Sequence, residues 1–201
     1  MEVVKDNFIK SVFHRKVHKM KKLFNAVRQN DLETVKRILD ENLELINCVA
    51  TPPPKKDDGQ SLLQVANKVG CWEIAHYLIE KGIDVNYMEP DHGLPKTQCF
   101  TCPVLNDAVR FLLAGGWGWQ KNAEERMKLI LHLLEKGADP NKTDNRNSNS
   151  WDCAINAYCD TRRTVKDPEL AKLYAALFQE VLEVLYPYVD ILNIDRVNND
   201  L

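Results

Sequence analysis

The tract Leu78-Ile79-Glu80-Lys81-Gly82-Ile83-Asp84-Val85-Asn86 returns as Leu133-Leu134-Glu135-Lys136-Gly137-Ala138-Asp139-Pro140-Asn141. A helix end, a glycine stop and an Asp-x-Asn turn recur in one order. Self-similarity of this kind restricts a chain to a row of repeated supersecondary units. One such unit cannot bury its apolar face alone, so its neighbours must cover it.

The rest of the unit follows from spacing. Gly82 and Gly137 sit just past a helix, where a left-handed backbone favours glycine. Before them, Ile74, Leu78 and Ile79 match Ile130, Leu133 and Leu134 at helical spacing. Further upstream, Leu63 and Ala66 match Leu105 and Ala108, with an earlier copy at Leu23 and Ala26 and a later one at Trp151 and Ala154. The small alanine, three residues after the large apolar one, lets neighbouring helices approach closely. Gly70, followed by Glu73 and Ile74, reads as the turn between two helices. Asn30, followed by Glu33 and Val35, reads the same way, since asparagine tolerates a left-handed turn. Each unit is thus a short helix, a tight turn, a second helix and an extended finger.

At these positions the chain resembles the ankyrin repeat family. The family's Thr-Pro-Leu-His-x-Ala motif survives as its Leu and Ala, while its His position holds Gln64, Asn106, Asp152 or Phe24. The resemblance implies an all-α solenoid of stacked helix-turn-helix units with finger loops, covering residues 21–201. Its units fall at about 21–58, 59–101, 102–148 and 149–201, after an amphipathic capping helix over 1–20. A regular unit is about 33 residues. Ala26 and Ala66 are 40 apart, and the excess falls in the finger holding Thr51-Pro52-Pro53-Pro54. Ala66 and Ala108 are 42 apart, with the excess in the second finger. Gly82 and Gly137 are 55 apart, which leaves an insertion between the two helices of unit three.

The segment 1–20 carries Val4, Phe8, Ile9, Val12, Phe13, Val17 and Met20 at helical spacing, as a cap over an open end requires. Its basic face, with His14 and His18, is alternatively a docking surface for something acidic. In unit three the first helix is expected over about 104–114, and Asn122 is expected to cap a lengthened second helix ending near Lys136. Asp167-Pro168 reads as the cap and first residue of a long final helix, with Leu170, Leu173, Leu177, Val181 and Leu185 on one face.

Several chemistries are weighed and set aside. Cys99-Phe100-Thr101-Cys102 with His92 suggests a metal clip, but structural zinc needs four ligands and no second pair exists. No metal and no cofactor is therefore expected. His76 and His132 precede the paired apolar residues of equivalent helices and read as structural. Gly115-Gly116-Trp117-Gly118 lacks the Lys and Ser/Thr of a phosphate loop. Asp57, Asp58, Glu124 and Glu125 sit in polar segments and read as solvated. No enzyme activity is expected.

A net charge of −2 gives no general attraction to nucleic acid or membranes. No run of about 18 apolar residues is present. The opening Met1-Glu2-Val3-Val4-Lys5-Asp6 lacks the order of a secretion signal. Six dispersed cysteines in a chain well supplied with core residues point to reduced thiols and a cytoplasmic protein.

In the ankyrin family, finger tips and first helices form a concave surface on which proteins dock. The resemblance therefore implies a cytoplasmic adaptor or inhibitor that binds another protein. The candidate contact residues are Tyr87, His92, Phe100, Trp117, Trp119, Lys55 and Lys56. Trp117 and Trp119 could instead fold back on the lengthened helix. The three successive prolines are expected to stiffen finger one in an extended form. One alternative is a blocker, of the immunity or anti-defence type, acting on a toxin or defence enzyme. Another is a nucleic-acid-associated protein using the basic N-terminal helix.

Overall fold

The computed structural model describes residues 2–90, 101–114 and 119–189, with side chains described from Arg15 onward except at 56 and 119–121. The described residues form eight α-helices and no β-strand, beyond one isolated antiparallel bridge between Val49 and Ser61. The chain is all-α, in two compact units, Met1–Ile83 and Asp84–Leu201.

In the first unit, α1 (Glu2–Arg28) runs unbroken through residue 20. The segment read as a cap and the first helix of the first repeat are one rod. Asn30 makes the following turn at φ 56°, a left-handed position taken here by a residue other than glycine. Asp31 then caps α2 (Leu32–Glu41), accepting from the Thr34 N–H at 3.0 Å. Ser61 and Gln64 form a reciprocal capping box at the start of α3 (Leu62–Val69), satisfying two amides that the helix start leaves open. Gly70, at φ 77°, turns the chain into α4 (Trp72–Glu80). α1 packs on α2 and α3, α3 on α4, and α2 touches α4. Two hairpins therefore lie side by side, first helix against first and second against second. Leu23, Val27, Leu63, Ala66 and Leu78 are fully enclosed between them.

The second unit also consists of helical hairpins, with second helices longer than those of the first: α5 (Val104–Leu113), α6 (Trp119–Glu135), α7 (Ser150–Arg162) and α8 (Pro168–Leu185). α5 packs on α6, α7 and α8, and α7 on α8, around Leu105, Ala108, Ile130, Leu133 and Ala154. α6 begins ahead of Asn122, which lies inside the helix and does not cap it. The reason is local: Gln120 and Lys121 are good helix formers and carry the helix upstream. Asp167 caps α8 through the Glu169 and Leu170 amides, at 2.9 and 3.0 Å, and Pro168 opens it.

The buried seam of α8 differs from the expected leucine stripe. Tyr174, Val181 and Leu185 are buried, whereas Leu173 is 54% exposed. The ring of Tyr174 stacks 5.4 Å from that of Tyr158, and its hydroxyl donates to the Leu113 carbonyl at the end of α5. Thr161 donates to the same carbonyl at 2.9 Å. The last carbonyls of a helix have no partner within it; an amphipathic tyrosine can meet one while filling the core, and a leucine cannot.

The repeated tract has a structural reason. Gly82 and Gly137 both stand at φ 85°. The Asp84 carboxylate accepts from the Asn86 N–H, and that of Asp139 from the Asn141 N–H, each at 2.9 Å. The Asn86 amide donates to the Gly137 carbonyl at 2.8 Å and accepts from the Asp139 N–H at 2.7 Å. Asn141 in turn donates to the Tyr188 carbonyl at 2.9 Å. The final asparagine of each tract thus ties its turn to backbone of a later segment, which requires the same residue at the same offset.

Candidate binding surface

Finger one leaves α2 and returns to α3 as a narrow loop. The Ala50 N–H donates to the Gln60 carbonyl at 2.8 Å, and the Gly59 N–H to the Ala50 carbonyl at 2.9 Å. The Pro52–Pro53 and Pro53–Pro54 peptide bonds are both cis, where the sequence led to a stretch stiffened in an extended form. Asp57, read from sequence as solvated, is 2% exposed. It accepts from Arg28 Nε at 2.7 Å and from Lys68 Nζ at 3.0 Å. Burial by itself would raise this carboxyl; the hydrogen bonds from Arg28 and Lys68 outweigh it and hold Asp57 below the usual carboxylate range. An ion pair from finger to α1 and α3 compensates the desolvation that would otherwise expel the charge.

Between this finger and α1 lies a groove of about 410 Å³. Met20, Phe24 and Arg28 form one wall, and Val49, Ala50, Thr51, Pro53 and Pro54 the other, with Lys21 and Asn25 at its edge. The Arg28 guanidinium also lies 5.8 Å from the Phe24 ring centre.

Finger three is built differently. Asp144 is buried and accepts from the Arg146 N–H at 2.8 Å, the Ser148 N–H at 2.9 Å and Arg110 at 3.3 Å. Asn147 takes a left-handed φ of 62° within the turn. Asn106, wholly buried on α5, donates to the Lys142 and Ser148 carbonyls at 3.2 and 3.1 Å and accepts from Ser150 Oγ at 2.7 Å. A second groove, of about 620 Å³, opens between this finger and helices α5 and α7. Arg110, Asp144, Arg146, Cys153, Asn156 and Asp160 are among its lining residues.

The residues singled out in the sequence fall unevenly on this surface. Lys55 is exposed in a short 3-10 turn of finger one that also holds Lys56. Tyr87 is half-buried; its N–H donates to the Asp84 carbonyl at 3.3 Å, and burial raises its phenol. Trp119 opens α6, and its side chain is outside what the structure describes. His92, Phe100, Cys99 and Trp117 lie outside the described residues. Glu124 and Glu125 are surface groups paired with Lys128 at 2.7 and 3.0 Å. Arg28, Asn106, Asp144 and Asn156 were not singled out as part of the surface. Only Asn106 carried a signal, as a polar residue in the motif position between Leu105 and Ala108.

Burial disfavours the thiolate at Cys48, Cys71, Cys102 and Cys153, pushing Cys48 and Cys153 up to about 11 and raising Cys71 and Cys102 as well. Cys71 donates to the Val27 carbonyl at 3.3 Å and holds α1 against the start of α4. Among the described residues no helix is long and apolar enough to cross a membrane. No group of three or more His, Cys, Asp or Glu is placed among them to hold a metal ion.

Each unit thus pairs helical hairpins and has a groove beside a finger. No family model matches the chain. The E3 ubiquitin-protein ligase Ufd4 of Drosophila melanogaster is 31% identical over 85 residues, 42% of this chain and 3% of the ligase. The E3 ubiquitin-protein ligase hecd-1 of Caenorhabditis elegans is 33% identical over 101 residues, 50% of this chain and again 3% of the relative. The chain thus matches about 3% of the length of either relative. A solved structure of the Bdellovibrio bacteriovorus predatory endopeptidase Bd0816 in complex with immunity protein Bd3460 matches with a TM-score of 0.27 and 18% identity, covering 70% of this chain and 93% of the other. So loose a likeness assigns neither fold nor function.

Proposed function

We propose that this chain is a divergent ankyrin-type repeat protein that binds a partner protein in the grooves between its fingers and first helices, and that it performs no chemistry of its own. The observation that carries this reading is the duplication of one construction. In each unit a finger, pinned by buried polar groups, stands beside a first helix and leaves an open groove. Pinning matters energetically, because a loop already ordered loses little entropy when a partner arrives. The left-handed turns at Asn30, Gly70, Gly82 and Gly137 and the side-by-side hairpins support the repeat assignment. Thiols raised by burial speak against nucleophilic catalysis. The matched ubiquitin-protein ligases act on proteins by their names, and a stretch of 3% of such a chain suits a binding module.

The test is affinity capture from cells that make the protein, with mass-spectrometric identification. Wild type is compared with Asn25→Trp and Asn156→Trp, which fill the two grooves from exposed positions. A partner held by wild type and lost by at least one filled variant, with helicity unchanged, supports the reading. A partner retained by both variants contradicts it. If the partner is an enzyme, an assay of its activity in the complex separates an inhibitor from an adaptor.

A further inference from the structure

The groove beside finger one has a charge asymmetry that the other groove lacks. Around the second groove Arg110 and Arg146 stand with Asp144 and Asp160, so its signs are mixed. On the first, the carboxylate at hand, Asp57, is buried and already shared by Arg28 and Lys68. Two cations on one acid leave positive charge over. The exposed stretch of α1 adds Arg15, Lys16, Lys21 and Lys22, none of them ion-paired among the described residues. Lys21 and Asn25 edge both this groove and a hollow of about 500 Å³ against the start of α2, where His18 and Lys22 lie with one acid, Asp31. The walls, by contrast, are apolar where they are open: Met20 on one side, Val49, Pro53 and Pro54 on the other.

From this juxtaposition we infer that the α1–finger one groove takes an acidic peptide segment of the partner, anchored by one large apolar side chain. The inference rests on the binding function proposed above and names the partner's chemistry. The anchor sits between the apolar walls, and carboxylates flanking it lie along Lys21 and Lys22. Such complementarity chiefly sets encounter rate and selectivity. A nucleic acid fits the cations but not the walls: the one aromatic there, Phe24, is only 3% exposed and offers no face for a base to stack on.

The test is selection of random twelve-residue peptides on the immobilised full chain, followed by fluorescence anisotropy of the enriched sequences. The expected winners carry several Asp or Glu around a single Phe, Trp, Leu or Met. Their affinity should fall about tenfold or more in Lys21→Glu/Lys22→Glu, and also in Asn25→Trp, which leaves those charges in place. Lys172→Glu, an exposed change of the same sign on α8, should leave it unchanged. Neutral or basic winners would overturn the inference, as would acidic winners indifferent to the α1 variants. So would a labelled DNA duplex that binds α1 as tightly as the peptides and is displaced by them. Winners lost only on Asn156→Trp would sink this inference and leave the binding function standing. Winners that survive all three groove variants would sink both.

Discussion

Finger one and finger three solve the same problem with different chemistry. Finger one is held by a carboxylate between two cations that reach it from α1 and α3. Finger three is held mainly by amide and backbone groups, through Asn106, the Ser148 carbonyl and the N–H groups donating to Asp144, with a single longer ion pair from Arg110 at 3.3 Å. An ion-held loop responds to pH and salt; an amide-held loop responds mainly to the loss of a partner. The difference shows that two loops joining comparable helical hairpins can be fastened by different chemistry. The residue-level consequences can be ranked.

The largest effect concerns what the two units share. Leu63→Ala and Leu105→Ala each empty a fully enclosed site and should cost about 2–5 kcal/mol. Chemical denaturation of both variants tests this, and a loss below about 1 kcal/mol in either would mean that its hairpin is not packed as described. Next comes the amide fastening. Asn106→Leu keeps the branching but strands the Lys142 carbonyl and the Ser150 hydroxyl, while the Ser148 carbonyl keeps the Asp144 N–H, so a loss of about 2 kcal/mol is expected, nearly independent of salt.

The ionic fastening should give less and should depend on pH. Its cations are partly exposed, so Asp57→Asn is expected to cost about 1–2 kcal/mol near neutrality. The carboxyl of Asp57 is held below its ordinary value. Its contribution is therefore complete above the unfolded value of about 4 and disappears as pH falls through the lower folded value. The gap between wild type and Asp57→Asn in a pH series of melts should accordingly close on acidification. A gap constant to pH 2 would remove the ion pair from the explanation. The smallest effect compares the two copies of the repeated tract. Gly82→Ala and Gly137→Ala meet no neighbouring atom within 4 Å, and both sit at φ 85°, so each should cost about 1 kcal/mol from backbone alone. Unequal losses would show that the two turns are not equivalent.

What was legible in the sequence was what is decided locally. Gly82, Gly137, Gly70 and Asn30 announce left-handed turns because few residues tolerate them, and Asp167-Pro168 announces a helix start for an equally local reason. The apolar face of α8 was visible through Val181 and Leu185, but not the place of Tyr174 in it: Leu173 is exposed, and Tyr174 is buried against a carbonyl 61 residues away. Asp57 shows the same limit more sharply. Its neighbours in sequence are polar, and its partners Arg28 and Lys68 stand 29 and 11 residues off. Nothing local distinguishes a solvated aspartate from one that pins a loop. The grooves inherit this, since each is walled by residues brought together across a finger. For His92, Phe100 and Trp117 the described residues offer no position to compare.

The most direct measurement is hydrogen–deuterium exchange of the full chain with and without its captured partner. Binding in the grooves should slow exchange of amides in 20–28 and 49–51, or in 110–114 and 144–161, while the outer helices α2, α4 and α6 stay as they were. Protection confined to α2, α4 or α6, with both grooves exchanging freely, would contradict it.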